Sequence, residues 1–197
     1  MKNERIKNIA LGVLFVAVIT LTIAYAAMSQ QLNITANATI GNKQASWNIF
    51  FAENANQENI CTATGSAVIG AQPTLTATDI SGLAATLRAP SDTIVCKFAI
   101  KNTGLLNGKI TTLTNHTPTY TGSGSSAAAD QTLVSQNLTY NFTYDETGNT
   151  SPVAQNDTLN TNQTKKVKIV IAYSGSDLPN NDVSIEDLGT TIVYTQY

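Results

Sequence analysis

The sequence predicts an all-β protein: an antiparallel two-sheet sandwich of the Ig-like or jelly-roll type, preceded by an N-terminal hydrophobic helix. Apolar and polar residues alternate with a period of two through most of the chain after Met28. Runs rich in Gly, Asn, Ser and Pro separate these segments, as turns do. The alternation of strands and helices that marks a parallel α/β fold does not occur. About nine or ten strands, each with one polar face, are expected to form two antiparallel sheets packed face to face.

The N-terminal segment predicts export. Residues 1–8 form a basic flank that stays in the cytoplasm, and residues 9–28 form an almost unbroken apolar run of 20 residues. This length favours a retained transmembrane anchor, because about 18 apolar residues can span a bilayer. The closing Ala24-Tyr25-Ala26 favours a signal peptide, because signal peptidase cleaves after such small-x-small patterns. Both outcomes place residues 29–197 outside the cytoplasm, as one extracellular domain that is secreted or held at the membrane.

The first expected strand, residues 32–40, directly follows the leader. Its apolar residues occupy every second position and its polar residues the positions between; the apolar set is Leu32, Ile34, Ala36, Ala38 and Ile40. If the leader is removed, this strand becomes an N-terminal arm. Such a strand can add to the open edge of a neighbouring subunit, where main-chain hydrogen bonds provide affinity and alternate side chains fix the register. The alternative is that it pairs within its own domain.

Period-two alternation predicts the remaining strands and a common core. The strands are expected at residues 47–51, 83–87, 94–100, 137–144, 167–173 and 192–196, with shorter ones at 67–69, 74–78 and 109–113. The inward-facing set is Trp47, Phe98, Ile100, Tyr140, Phe142, Ile169 and Ile171. Residues 119–130, with a Gly-Ser-rich centre, are expected to form a mobile loop. The alternative for their end is a short helix through residues 127–134.

Composition excludes one class of partner. Three of the 11 basic residues and one of the 13 acidic residues lie in the leader, which leaves the exported part with a charge of about −4. Nucleic-acid binding needs clustered Lys and Arg, so no nucleic-acid partner is expected. Charged residues make up only 12% of the chain, about half the usual share, and Thr, Asn, Ser and Gln provide the polarity instead. This surface is typical of an exported β-rich protein.

The chain has two cysteines, Cys61 and Cys96, and an oxidising compartment allows them to form a disulfide. The closed loop of about 36 residues would stabilise the fold by about 3.8 kcal/mol on the chain-entropy model. The alternative is two buried free thiols.

Three parts of the sequence together resemble one family. The leader ends Ala24-Tyr25-Ala26-Ala27-Met28-Ser29 and continues directly into a strand. A second strand, from Cys96, ends in the turn Asn102-Thr103-Gly104, and the chain closes on a strand ending Tyr194-Thr195-Gln196. This pattern resembles the camelysin/TasA-like group of exported Gram-positive proteins. The resemblance implies a sandwich fold and a place in extracellular matrix fibres built by strand donation. Some members are described as metal-dependent proteases.

The residues of this chain argue against a protease or any other enzyme. The motif H-E-x-x-H is missing from the sequence, and His116 is the only histidine, which is too few for a zinc site of about three protein ligands. The adjacent acids Asp145 and Glu146 are expected to be solvated turn residues rather than an acid–base pair. The acids between residues 177 and 187 are expected to lie in a solvated loop, with a calcium site as the alternative. No cofactor, metal or small-molecule substrate is expected.

The sequence therefore favours a non-enzymatic structural protein of the cell surface or extracellular matrix, a fibre or pilin-like subunit that assembles by N-terminal strand donation. The alternative is a membrane-anchored extracellular binding or adhesion module. The expected partners are other copies of the chain or other surface proteins, and the membrane if the leader is retained.

Overall fold

The computed structural model describes residues 30–33, 47–54 and 59–197. The leader, including the predicted N-terminal helix over residues 9–28, lies outside the described residues, and so do Ile34, Ala36, Ala38 and Ile40. No helix in the described ranges is long and apolar enough to cross a membrane.

The described residues form fifteen strands and one helix. In chain order the strands are β1 Gln30–Asn33, β2 Ile49–Ala52, β3 Cys61–Thr64, β4 Val68–Ala71, β5 Thr74–Leu75, β6 Ile80–Ser81, β7 Ala84–Thr86, β8 Thr93–Asn102, β9 Gly108–Asn115, β10 Thr119–Gly122, β11 Leu138–Tyr144, β12 Thr158–Leu159, β13 Thr164–Tyr173, β14 Val183–Glu186 and β15 Thr190–Gln196. Helix α1 spans Ala127–Asn137, between β10 and β11.

The strands form two larger antiparallel sheets and three small ribbons. Sheet A has the order β1-β15-β9-β12, and sheet B has the order β11-β13-β8-β2, with β3 also paired to β8. The two-stranded ribbons are β4–β7, β5–β6 and β10–β14. The prediction of an all-β protein with antiparallel sheets is confirmed.

Sheet B places its inward side chains in rows that run across the strands. Because successive side chains of a strand point to opposite faces, the pairing register alone defines each row. One row joins Ile94, Ile171 and Tyr140; the next joins Cys61, Cys96, Ile169 and Phe142; a third joins Phe98, Val167 and Tyr144. These rows form one apolar face.

Residues of both sheets share one hydrophobic core. Five of the seven predicted core residues are buried in it, namely Trp47, Phe98, Ile100, Phe142 and Ile169. Tyr140 and Ile171 are partly buried against the same cluster. Sheet A contributes Ile110, Leu159, Ile192 and Tyr194. The facing predicted from the period-two pattern is confirmed.

The turn after β8 connects sheet B to sheet A. Buried Asn102 donates its side-chain amide to the carbonyl oxygens of Leu106 (2.8 Å) and Leu159 (3.1 Å) and accepts from the Gly104 N–H (3.0 Å). The chain then enters β9 at Gly108, where an added Cβ would lie 2.3 Å from Ile49 Cδ1. Any larger residue at position 108 would have to displace the Ile49 side chain, which is fully buried.

The prediction of a mobile loop over residues 119–130 is wrong. Residues 119–122 form β10, and α1 begins at Ala127, so the alternative of a short helix is confirmed and the helix continues to Asn137. Three consecutive alanines favour helix. The apolar residues of this helix do not gather on one face, and its buried residues are only Asp130 and Val134. Hydrophobic periodicity therefore does not reveal it.

Four other strands were also missed, namely β3, β6, β12 and β14. Strand β3 carries the polar sequence Cys-Thr-Ala-Thr, and β14 lies in the segment predicted as an acidic loop. Both are short and depend on a partner, β8 for β3 and β10 for β14. Such strands are stabilised by pairing rather than by their own sequence.

Candidate functional site: a cleft over the inward face of sheet B

A cleft of about 920 Å³ opens over one end of the inward face of sheet B. Its floor is formed by side chains of three neighbouring strands, namely Ile94, Cys96, Leu138, Tyr140, Ile169 and Ile171. These belong to the rows that continue the core, so the cleft is an extension of the space between the sheets. Its volume lies in the range of sites that hold a peptide-sized or drug-sized ligand.

Two polypeptide segments form the sides of the cleft. The first wall is residues 80–88, which include β7, together with β4 residues behind them. The second wall is residues 178–188, which include β14, together with Val134 of α1. Apolar side chains of both walls, including Leu83 and Ile185, are half-buried and face the opening.

Each wall contains a strand with one unpaired edge. Strand β7 pairs with β4 on one side, and β14 pairs with β10 on one side. Within the described part of the chain, neither strand has a partner on its second edge. An unpaired edge carries a row of main-chain donors and acceptors that can bind another strand. The cleft therefore combines an apolar floor with two walls whose strands each keep an unpaired edge.

The cleft begins where sheet A ends. Thr190 is the first residue of β15. Its hydroxyl group donates a hydrogen bond to the Tyr140 hydroxyl oxygen, and the two oxygens lie 3.2 Å apart. Burial raises the pKa of Tyr140 to about 12, although the hydrogen bond with Thr190 acts in the opposite direction. The floor is therefore uncharged at neutral pH.

Asp92 holds the first wall to sheet B. Its buried carboxylate accepts hydrogen bonds from the N–H groups of Ser66 (2.8 Å), Arg88 (2.7 Å) and Ala89 (2.9 Å), and from the Ser66 hydroxyl. Burial raises the pKa of this carboxyl, but the hydrogen bonds outweigh burial and lower the pKa from 3.8 to about 2. Gly65 adopts a φ of +74°, and an added Cβ there would lie 2.3 Å from Asp92 Oδ1.

We expect Asp92→Asn to lower the denaturant midpoint at pH 7. Because the folded pKa of about 2 lies below the ordinary 3.8, the charged carboxylate stabilises the fold above about pH 4, and this contribution is lost as the pH falls towards 2. The variant should therefore show a flatter dependence of stability on pH between 4 and 2. Urea melts at several pH values measure this. Asp182→Asn, at an exposed position, is the control, and equal slopes for wild type and Asp92→Asn would contradict the assignment.

Asp130 has the same role for the second wall. The buried carboxylate accepts from the Ser126 hydroxyl (2.6 Å) and from the N–H groups of Asn180 (2.9 Å) and Asn181 (3.2 Å). The Ser126 and Asn180 hydrogen bonds lower the pKa of Asp130 more than burial raises it. Asp130 thus connects the first turn of α1 to the segment that leads into β14.

The predicted disulfide between Cys61 and Cys96 is present. The two residues lie directly opposite each other on β3 and β8. Cys96 lines the cleft, while Cys61 is covered on the other side of the bond. The Gln72 side chain also binds the Cys61 backbone, accepting from its N–H (2.9 Å) and donating to its carbonyl oxygen (2.8 Å). Gln72 thereby takes the place of a strand partner on the outer edge of β3.

The predicted assembly strand is described only at its start. Leu32 lies in β1, which pairs antiparallel with β15 of the same chain, opposite Ile192. The other four predicted residues lie outside the described part. The structure thus gives residues 30–33 an intramolecular partner.

The candidate chemical residues are separated from one another. His116 Nε2 lies 2.7 Å from the Thr191 hydroxyl, beside β15. Asp145 binds Lys97 (2.9 Å) and Lys168 (3.2 Å) on the outer face of sheet B. Burial raises the pKa of Asp145, but the two lysines outweigh burial and lower the pKa. Of the acids predicted to form a loop, Asp182 and Asp187 lie at the cleft, and the described residues contain no group of three or more side chains that could hold a metal ion.

Sequence reasoning did not find the cleft. Three of its floor residues, Tyr140, Ile169 and Ile171, belong to the predicted core set. Its walls were predicted as a strand over residues 83–87 and as an acidic loop between residues 177 and 187. The strand count could have indicated it, because the chain has more short strands than the two main sheets use. Short strands such as β7 and β14 form ribbons beside these sheets. A scan against protein-family models, a search of curated proteins and a search of solved structures each found no match to this chain.

Proposed function

We propose that the protein is a non-enzymatic structural subunit of the cell surface or extracellular matrix. In this proposal the two sheets are a sandwich of the Ig-like or jelly-roll type, and the N-terminal strand of one copy occupies the cleft of the next. The observation that carries the proposal is the cleft itself, because an apolar floor beside two strands that each have an unpaired edge can accept an added strand.

The chain contains a segment with the required pattern. Residues 32–40 alternate apolar and polar side chains without interruption. An added strand would place one set on the cleft floor and the other towards solvent. Six residues, 41–46, separate this segment from Trp47 and span up to about 20 Å when extended, which is enough to connect two copies in contact.

Donation requires β1 to leave β15. In the described part of the chain, β1 pairs with β15 over four residues. Every copy that donates its N-terminal strand loses this pairing. The longer segment 32–40 can form more main-chain bonds in the cleft than β1 forms with β15. Each added copy presents a further arm and a further cleft, so the contacts do not close and a fibre results.

The location proposed is the extracellular side of the membrane. The disulfide fits an oxidising compartment, and the charged flank and apolar run of residues 1–28 fit export. The resemblance to the camelysin/TasA-like group supports the same location and the same assembly.

Electron microscopy and sedimentation of the protein without its leader test the proposal. Wild type is expected to form fibres, and Ile34→Asp with Ala36→Asp is expected to remain monomeric, because charges on the apolar face cannot enter the cleft. Circular dichroism should show that the double variant keeps its strands.

The same strand provides a matched control. Thr35→Asp with Asn37→Asp places the same charges on the polar face and should still give fibres. A wild type that remains monomeric at every concentration contradicts the proposal. A double variant that unfolds would show instead that the strand belongs to its own core.

The alternative is a membrane-anchored binding or adhesion module. The cleft supports this as well, since its main-chain edges can bind an extended segment of another surface protein. A retained leader favours the module and a removed leader favours the fibre, so mass spectrometry of the native N-terminus separates the two.

A further inference from the structure

One end of the two sheets receives the chain from the leader. The apolar run ends at Met28, and β1 begins at Gln30, which pairs with Tyr194 near the end of β15. The end of β15 pairs with the start of β9, so the turn from β8 to β9 lies at the same end. We call this the entry end. The cleft lies at the opposite end, beside Thr190 at the start of β15.

Lysines gather on the strands that reach the entry end. Six of the seven basic residues in the described part of the chain lie on β8, β9 and β13, namely Lys97, Lys101, Lys109, Lys165, Lys166 and Lys168. The seventh, Arg88, lies in the first wall of the cleft. Lys101, Lys109 and Lys166 lie within two residues of the strand terminus at the entry end, and none of them forms an ion pair within the described residues. Their charges are therefore available to an external partner.

The acidic residues are distributed in the opposite way. Six of the eleven in the described part lie on or beside the cleft walls, namely Asp92, Asp130, Asp177, Asp182, Glu186 and Asp187. Three lie nearer to the entry end and are engaged there, and the first of them, Asp145, binds two lysines of sheet B. Asp157 accepts a hydrogen bond from the Tyr144 hydroxyl, and Glu146 accepts one from the N–H of its neighbour on β13. The protein therefore has a positive entry end and a negative cleft end.

The entry end also exposes apolar side chains. Leu105, in the turn between β8 and β9, is 77% exposed, and Tyr197 is 59% exposed. The Tyr197 N–H donates to the Asn107 carbonyl oxygen (3.3 Å), which holds Tyr197 beside the same turn. The other two large apolar residues that are exposed in the described chain, Val68 and Leu178, line the cleft. Exposed apolar residues flanked by lysines are typical of protein surfaces that lie in a membrane interface.

We propose that the entry end rests on the surface of a bilayer that contains anionic phospholipid. Lys101, Lys109 and Lys166 lie beside the lipid phosphates, where each lysine strengthens binding about fivefold. Leu105 and Tyr197 enter the head-group layer. The cleft then faces away from the membrane, where a strand of another molecule can reach it. The proposal rests on the proposed location at the membrane and is independent of strand donation.

The first test uses the full chain, inserted through its leader into vesicles of phosphatidylcholine with or without phosphatidylglycerol. A membrane-impermeant amine reagent is added briefly, and mass spectrometry gives the labelling rate of each lysine. Lys101, Lys109 and Lys166 are expected to react about threefold more slowly on the anionic vesicles, because a surface potential of about −30 mV raises the local proton concentration about threefold and keeps the amines protonated. Lys97 is the internal control. It lies about 13 Å farther along β8 than Lys101, beyond the screening length of about 8 Å at physiological salt, and its rate should not change.

The second test places a fluorescent side chain at each end. Leu105→Trp in vesicles with brominated acyl chains is expected to lose fluorescence, because bromine quenches only a tryptophan that reaches the lipid. Leu178→Trp, at an exposed position of the cleft, is the matched control and should keep its fluorescence. Wild type, whose single Trp47 is buried, gives the background.

The outcomes separate this proposal from the proposed location. If the chain does not float with vesicles of either composition, the location at the membrane is overturned as well. If the chain floats but the lysine rates and both tryptophans are unaffected by the lipid, the location stands and contact by the entry end is overturned. Slower labelling of the same lysines on phosphatidylcholine at high protein concentration would show that a second copy covers this end, which also overturns the proposal.

Discussion

A mixture of two assembly-defective variants is expected to form dimers and nothing longer. Ile171→Asp places a charge on the cleft floor and leaves the arm intact, while Ile34→Asp with Ala36→Asp disables the arm and leaves the cleft intact. Each variant alone should be monomeric, because each lacks one of the two surfaces. Mixed, the intact arm of the first enters the intact cleft of the second, and no further contact is available. Analytical ultracentrifugation of the separate and mixed variants measures this.

The control lies one residue away on the same strand. Val170 faces the opposite side of sheet B from Ile171 and is half-buried, so Val170→Asp introduces the same charge without entering the cleft. This variant should still assemble into fibres. Fibres formed by Ile171→Asp alone would exclude the cleft as the acceptor and would indicate exchange of β1 at the edge of β15 instead.

Truncation of Phe98 is expected to cost about 3–5 kcal/mol of unfolding free energy. Its ring is fully buried, with Phe51 edge-on at 5.5 Å and Phe142 stacked at 6.0 Å between ring centroids. The Phe98→Ala variant would leave a cavity between rigid neighbours from three strands, so the loss includes both transfer and cavity contributions. Urea melts followed by circular dichroism measure the change.

Phe50 is the matched control for this truncation. It lies on β2 next to Phe51, but it is half-buried on the outer face of sheet B, opposite Lys101. Phe50→Ala removes the same atoms from a site that water already reaches, and its effect should be clearly smaller. Equal losses for the two variants would show that Phe98 does not lie at the centre of the core.

Asp92 and Asp130 show why some positions escape sequence reasoning. Each is a buried carboxylate that accepts hydrogen bonds from residues distant in the chain, Ser66 for Asp92 and Asn180 for Asp130. Burial of a charge is favourable only with such partners, and a sequence lists the carboxylates without their partners. The two residues that hold the walls of the cleft therefore look like ordinary surface acids until the fold is known.

The sequence by itself determined the all-β class, the inward faces of the long strands and seven residues that lie in or against the core. These properties depend on period-two alternation, which is local and is visible in Ile94, Phe98 and Ile100 or in Phe142 and Tyr144. Only the tertiary structure decided helix α1, strands β3 and β14, the intramolecular partner of β1 and the cleft. Each of these depends on contacts between distant segments, and the same short polar sequence forms a strand, a helix or a loop according to the partner that it meets.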